Sequence, residues 1–250
     1  DIVREAGAVG VNRIVLPSVA RANFDNVRTL CEQYPNCAAA YGIHPMYADD
    51  ALPGDLEVLR GFLQQHQPVA IGEIGLDFFI DHYDRARQEY FFTEQLKLAR
   101  EFELPVLLHI RRAQDTILKH LRQIKVRGGI AHAFNGSRQQ ADAFIQLGFK
   151  LGFGGAMTYA RATRLRELAA TLPLESIVLE TDAPDIPPDF LDRGAPNKPE
   201  YLPRIAETLA TLRGLSLQEI AQSTTRNALS VLPKLTALTE APNHAHPSAG

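Results

Sequence analysis

The sequence has only two cysteines, no tryptophan and no long hydrophobic run. Cys31 and Cys37 lack the spacing of a zinc ribbon or a redox motif, so we interpret them as reduced thiols without a chemical role. The longest apolar stretches are no longer than a strand, and no charged-then-apolar signal segment opens the chain. These absences argue against a membrane segment, and we expect the protein in the cytoplasm.

An excess of positive charge is also absent. The formal net charge is -3 and the isoelectric point is about 6.3, which argues against a protein that coats nucleic acid through bulk electrostatics. Any affinity for phosphate must therefore be local. The one basic run, from Arg111 to Arg127, is typical of a solvated helix face and is weak evidence for a phosphate site.

The composition is that of one large folded domain. Of the 250 residues, 45% are hydrophobic and 22% are charged, which is enough to bury a substantial core. We expect this domain to span residues 1–235. Residues 236–250 have a composition typical of disorder, and we expect this tail to contribute nothing to the fold.

Short β-rich runs recur along the chain, and each is followed by a segment with helical periodicity. This alternation is the signature of βα units in a parallel sheet, so we predict an α/β fold. The seven predicted strands are NRIVLPS (12–18), CAAAYGIHP (37–45), PVAIGEIGLD (68–77), LPVLLHI (104–110), GGIAHAF (128–134), FKLGFGG (149–155) and SIVLETD (176–182).

The predicted helices begin and end with ordinary capping residues. Ser137 with Gln140, and Ser216 with Glu219, form capping-box patterns, and Gly148 stands where a glycine commonly ends a helix. One segment breaks the alternation: residues 183–199 contain five prolines and are too long for a plain connection. We expect this segment to shape the rim of an active site.

Side chains able to bind metal stand at the carboxyl ends of the predicted strands. In a (β/α) barrel these ends converge on the mouth, where catalytic groups come from several strands. Imidazoles mixed with carboxylates suit zinc, manganese or magnesium, and carboxylates can bridge two such ions. A single histidine there is more often a polar cap than a ligand, but the whole set predicts a hydrolytic metal site. Its members are His44, Glu73, Asp77, His109, His132 and Asp182.

Several ordered motifs resemble those of the TatD-family metal-dependent DNases. GEIGLD (72–77) and ETDAP (180–184) are the most specific, and the resemblance extends to about residue 232. The other matching segments are GIHP (42–45), QEYFFTEQLKLA (88–99), LPVLLHIRR (104–112), HAFNGS (132–137) and GAPNKPE (194–200).

The resemblance implies a TIM-type (β/α)8 barrel with two divalent metal ions (Mg, Mn or Zn) and a hydrolase that acts on phosphodiester bonds. By this resemblance Glu73 bridges the ions, while His109 and His132 ligate one ion. Asp182 ligates the other and helps to orient or deprotonate water, so Glu73 and Asp182 are the expected catalytic residues. His44 and Arg111 are expected to bind the substrate phosphate. The implied substrate is DNA or a nucleotide, cleaved exonuclease-like, and we expect a monomer without a stable protein partner.

Two features of the chain depart from the family pattern. Ala133, Phe134 and Asn135 stand where the family usually has Cys-Phe-Ser, which leaves the histidine intact. The initial strand with His-x-His is not found, and the chain begins in what we interpret as the first helix, so we expect a barrel without its first strand. The one His-x-His, His244 to His246, lies in the tail, and we interpret it as chance. Two alternatives stay open: a hydrolase of another ester or amide bond on the same scaffold, or a catalytically impaired barrel remnant.

Overall fold

The computed structural model describes residues 2–237, and within that range the chain forms one parallel sheet of seven strands surrounded by helices. The strands pair in sequence order, which confirms the predicted α/β fold and all seven predicted strands. The last thirteen positions of the expected tail, 238–250, lie outside the described residues. The strands are β1 (Ile14–Pro17), β2 (Cys37–Tyr41), β3 (Ala70–Asp77), β4 (Val106–Arg111), β5 (Gly129–Ala131), β6 (Phe149–Phe153) and β7 (Ile177–Leu179).

Helices connect the strands and cover the outside of the sheet. They are α1 (Ile2–Ala8), α2 (Phe24–Gln33), α3 (Pro53–His66), α4 (Arg85–Glu101), α5 (Gln114–Gln123), α6 (Arg138–Gln146), α7 (Thr163–Thr171), α8 (Leu202–Arg213), α9 (Leu217–Val231) and α10 (Lys234–Ala237). Between residues 2 and 237, none of these helices is both long and apolar enough to cross a bilayer.

The predicted capping residues are present where the helices begin and end. Ser137 caps α6 and Ser216 caps α9, each through a bond from the backbone N–H three residues later. Gly148 follows α6 with φ 85°, a left-handed conformation that glycine adopts at little cost. These confirmed caps fix the helix starts, so the loops between strand and helix have defined lengths.

The core lies between the sheet and its helices and is rich in aromatic rings. The central strands are buried on both faces, as expected for a sheet covered by helices, whereas the edge strand β1 is partly buried along its length. One face of α4 packs into this core, since Phe91, Phe92 and Leu96 are fully buried. The other fully buried aromatic side chains are Phe24, Tyr41, Phe134, Phe144, Phe149 and Phe153.

The carboxyl ends of all seven strands lie at the same end of the sheet, because the strands are parallel. In the described part of the chain β1 and β7 are the edge strands, and neither pairs with the other. None of the seven strands carries His-x-His. The loops that follow β2, β3, β4, β5 and β7 therefore lie together at the carboxyl end of the sheet, and the candidate site lies there.

Candidate metal centre

The first group of polar residues lies at the ends of β2, β3 and β4. Glu73 Oε1 is 3.0 Å from His109 Nδ1 and 3.6 Å from His44 Nε2. Atoms of these three side chains that could ligate a metal all lie within 4.8 Å of one another. On the other edge of the ring, His109 Nε2 is 3.0 Å from Oδ2 of the fully buried Asp77. His109 is therefore held between two carboxylates.

The second group lies at the ends of β5 and β7 and repeats this arrangement. His132 Nδ1 is 2.9 Å from Glu180 Oε2, and His132 Nε2 is 3.1 Å from Asp182 Oδ1. Glu180 is fixed from its other oxygen, because the backbone N–H of Ala133 donates to Oε1 at 2.6 Å. His132 is likewise held between two carboxylates.

In each group one carboxylate accepts hydrogen bonds from backbone N–H groups and is anchored by them, whereas the other contacts only histidine side chains. Asp77 accepts bonds from the backbone N–H groups of Phe79 and Ile80, as Glu180 does from Ala133. An anchored carboxylate that accepts an imidazole N–H fixes the orientation of the ring, a common arrangement around metal-ligating histidines. The opposite ring nitrogens then face Glu73 and Asp182, which were the two carboxylates predicted as ligands.

Electrostatic interactions join the two groups through Glu73. Burial opposes its ionisation, but the positive field of His132 and the bonds from His109 and His44 outweigh burial, so the pKa of Glu73 lies well below its ordinary value. Burial also opposes protonation of His132, yet Glu180, Glu73 and Asp182 raise its pKa well above the usual value. The pKa of His109 is raised, against burial, by Asp77 and Glu73. The carboxylates and imidazoles of the two groups thus stabilise one another's charged forms.

The hydrogen bonding of His44 separates it from the other two histidines. Its Nδ1 accepts the backbone N–H of Met46 at 3.2 Å, so in the neutral ring the proton is on Nε2. A protonated Nε2 has no lone pair for a metal and acts as a donor. Although His44 lies close to Glu73 and His109, this tautomer favours contact with an anion such as phosphate.

Arg111 lies at the end of β4, two residues beyond His109. Its guanidinium nitrogen Nη1 is 4.0 Å from Asp77 Oδ2, and half of its side chain is exposed. The structure thus places both residues predicted to bind substrate, His44 and Arg111, beside the Glu73–His109 pair.

The donor set fits a divalent cation. Two imidazoles, each oriented by an anchored carboxylate, face two carboxylates that are partly open to solvent, with 13% of the Glu73 and 31% of the Asp182 side chain exposed. Nitrogen and oxygen donors of this kind suit zinc, manganese and magnesium. Glu73 contacts His109, and His132 contacts Asp182, so the four predicted ligands form two touching pairs. That all four share one binuclear centre stays a prediction.

Sequence reasoning did not identify Glu180 as part of the site. It lies two residues before Asp182 in the ETDAP motif, and this spacing, typical of side chains on one face of an extended segment, was an available signal. The single glycine of β6 explains how Glu180 fits, because a Cβ at Gly152 would lie 2.0 Å from Glu180 Oε2. β6 contributes no side chain to the site, but the absence of a side chain at Gly152 leaves the space that the Glu180 carboxylate occupies.

The loop after β7 is fixed by the buried amide of Asn197. Its Nδ2 lies within hydrogen-bond distance of the carbonyl oxygens of Thr181 (2.5 Å), Asp185 (2.9 Å) and Ile186 (3.2 Å). Asp182 lies inside this clamped loop with a left-handed φ of 59°. The proline-rich segment 183–199 thus folds back on the loop that carries Asp182.

Comparison with known proteins gives one family across nearly the whole chain. Residues 1–233 match the family described as TatD related DNase. A protein of Escherichia coli strain K12 named uncharacterized metal-dependent hydrolase YjjV is 42% identical over 232 residues, covering 92% of this chain and 89% of its own length. A Salmonella typhimurium protein named 3'-5' ssDNA/RNA exonuclease TatD is 34% identical over 236 residues, covering 91% of this chain and 90% of its own length.

A solved structure agrees with this result. The crystal structure of YjjV from Escherichia coli has a TM-score of 0.89 at 41% identity, covering 93% of this chain and 90% of that one. Fold, relatives and site together define a metal-dependent hydrolase of the TIM-like class. Within that class, this chain belongs to the TatD related DNase family.

Proposed function

We propose that this protein is a deoxyribonuclease that hydrolyses phosphodiester bonds and releases nucleotides from the end of a single strand. The observation that carries the proposal is the pair of oriented imidazole–carboxylate contacts at the barrel mouth, flanked by the donors His44 and Arg111. The exonuclease name of one relative supports nucleic acid as substrate. The more similar relative is named only as a hydrolase.

Glu73, His109, His132 and Asp182 would hold two divalent ions, Mg, Mn or Zn. When bound, such ions lower the pKa of a nearby water molecule and neutralise negative charge on phosphoryl oxygens. Asp77 and Glu180 would keep the two imidazole rings in the tautomers that ligation needs. The catalytic roles then fall to Glu73 and Asp182.

Asp182 is the carboxylate best placed to accept a proton from the attacking water, because it is the most exposed of the four acids at the site. The water oxygen forms a bond to phosphorus while the bond from phosphorus to the leaving oxygen breaks, and the leaving oxygen takes up a proton. His44 Nε2 and the Arg111 guanidinium would donate to the phosphate oxygens and hold the phosphate during this exchange.

The test compares metal-stripped and metal-loaded protein on a 5′-labelled single-stranded oligonucleotide, with Mg, Mn and Zn added separately. We expect stepwise shortening that requires metal. Glu73→Gln and Asp182→Asn should lower the rate by more than the roughly 10- to 100-fold that loss of an orienting partner costs. Glu57→Gln is the matched control, since the Glu57 side chain is 77% exposed on α3.

Two results would contradict the proposal. Turnover of carboxylic ester or amide substrates without any cleavage of DNA would favour a different hydrolase on the same scaffold. Absence of bound metal in the protein would favour a catalytically impaired barrel. The cytoplasm as compartment and a monomeric working form stay predictions, which fractionation and light scattering can check.

A further inference from the structure

An aromatic ring lies open to solvent beside the candidate centre. Phe79 is the second residue after β3 and is 44% exposed, although exposing a ring of this size to water is unfavourable. Tyr47 and Met46, which follow β2 on the same side of the sheet, are also exposed. The Tyr47 ring packs at 6.4 Å from that of His44.

Phe79 is held in place by the residues of the site. Its backbone N–H donates to Asp77 Oδ1 at 2.9 Å, and Asp77 is the carboxylate that fixes His109. The Cζ atoms of Arg111 and Arg112 lie 3.8 Å and 4.4 Å from the centre of the ring. An exposed aromatic side chain is therefore fixed by the same carboxylate that orients a predicted ligand.

The charge of this cluster is unbalanced. Asp77 lies 4.0 Å from Arg111, whereas the guanidinium of Arg112 has no carboxylate partner among the described residues and contacts the Phe79 ring. The exposed ring offers a π-surface to an unpaired base, and the guanidinium of Arg112 offers positive charge to the adjoining phosphate. Proteins that bind single-stranded nucleic acid use this combination, because every base has a face that can stack.

We propose that Phe79, Arg111 and Arg112 form a stacking platform for an unpaired base next to the phosphate that is cleaved. The inference rests on the proposed function and adds to it two residues, Phe79 and Arg112, that set the preference for single strands. A base in a duplex is already paired and stacked, so these contacts must be broken at a cost before the base can use the platform.

The first experiment measures binding without hydrolysis. Fluorescence anisotropy in EDTA compares a labelled oligothymidylate with the same oligonucleotide carrying abasic sites at its three terminal positions. We expect Phe79→Leu to weaken oligothymidylate binding about ten- to hundredfold and to leave abasic binding unchanged. Phe79→Tyr should restore binding. Tyr90→Leu is the matched control, since Tyr90 is a 45% exposed aromatic on α4.

The second experiment measures the KM and kcat of metal-loaded protein on the same oligonucleotides. We expect Phe79→Leu to raise KM about ten- to hundredfold for the oligothymidylate and to leave KM for the abasic oligonucleotide unchanged. Equal binding by wild type and Phe79→Leu, or an equal loss on the abasic strand, would overturn the platform even if the protein is an active nuclease. Conversely, Phe79-dependent binding without cleavage in any metal would support the platform and contradict the proposed reaction. Unchanged melting temperatures show that the variants fold.

Discussion

Replacing Gly152 with alanine tests whether Glu180 orients His132. In β6 the absent side chain of Gly152 leaves the space that the Glu180 carboxylate occupies, and a Cβ there would lie 2.0 Å from Oε2 and 2.6 Å from the carboxyl carbon. Ordinary contact begins at 3.4 Å, so the carboxylate must move by about 1.4 Å. The backbone need not move, because the nearest atoms all belong to the Glu180 side chain.

The displacement is large enough to break both bonds of this carboxylate. The contacts to His132 Nδ1 and to the Ala133 N–H are 2.9 Å and 2.6 Å long, and neither survives a shift of that size. Hydrogen bonds of charged groups contribute roughly 1.5–3 kcal/mol each, part of which new contacts with water recover. We therefore expect Gly152→Ala to lower the free energy of unfolding by about 2 kcal/mol and the metal affinity about 10- to 100-fold.

Urea denaturation and titration calorimetry with manganese measure the two quantities. Gly61→Ala is the matched control, since a Cβ at Gly61 in α3 meets nothing within 4 Å. Glu180→Gln should reduce metal affinity by a similar factor. In the Glu180→Gln background, Gly152→Ala should then reduce affinity much less than it does in the wild-type protein. Additive losses in this double-mutant cycle would refute the idea that Gly152 acts through Glu180.

Three further predictions concern other parts of the molecule. Asn197→Ala removes the amide that bonds three part-buried carbonyl oxygens, so the free energy of unfolding, measured in urea, should fall by about 2 kcal/mol. Burial raises the pKa of Cys31 from 9.0 to about 11, so at pH 8 its thiolate fraction should be about a hundredfold lower in the folded protein than in the unfolded chain. The rate at which a disulfide reagent labels Cys31 should fall by the same factor. Manganese at a hundred times its Kd should stabilise the fold by about 2.7 kcal/mol, seen as a rise in Tm that EDTA reverses; an unchanged Tm would argue against the site.

The strands of this fold are predictable from sequence because their signals are local. A buried parallel strand is a short apolar run between turn residues, and all seven runs became strands. Their ends were less predictable: the run 128–134 gives only Gly129–Ala131 as strand, and 176–182 gives only Ile177–Leu179. In both cases the chain leaves the ladder just before the site residues, which then take positions set by side-chain contacts.

The site was only partly predictable, because its pairings depend on distances between strands. The position of His44, His109 and His132 at strand ends follows from the sequence. The sequence does not reveal that Nδ1 of His44 accepts a backbone N–H. Nor does it reveal that Asp77 anchors both His109 and the loop that carries Phe79. These features depend on loop conformations such as the left-handed φ of 42° at Ala133, which no local pattern specifies.

Gly75 allows a stricter test of how glycine shapes this mouth. It lies between Glu73 and Asp77 on β3 and pairs with His109 on β4. A Cβ at Gly75 would lie 2.0 Å from the carbonyl oxygen and 3.0 Å from the nitrogen of His109, which are backbone atoms that cannot rotate away. Gly75→Ala must therefore force β3 and β4 apart, whereas Gly152→Ala needs only to displace a side chain. We expect Gly75→Ala to lower the free energy of unfolding by more than the roughly 1–3 kcal/mol of ordinary overpacking. Such a loss is a large part of a typical domain's stability. Urea denaturation followed by circular dichroism measures this loss. A Gly75→Ala protein as stable as Gly152→Ala would show that the two strands can separate at little cost, and that the contacts of His109 with Glu73 and Asp77 do not depend on their close approach.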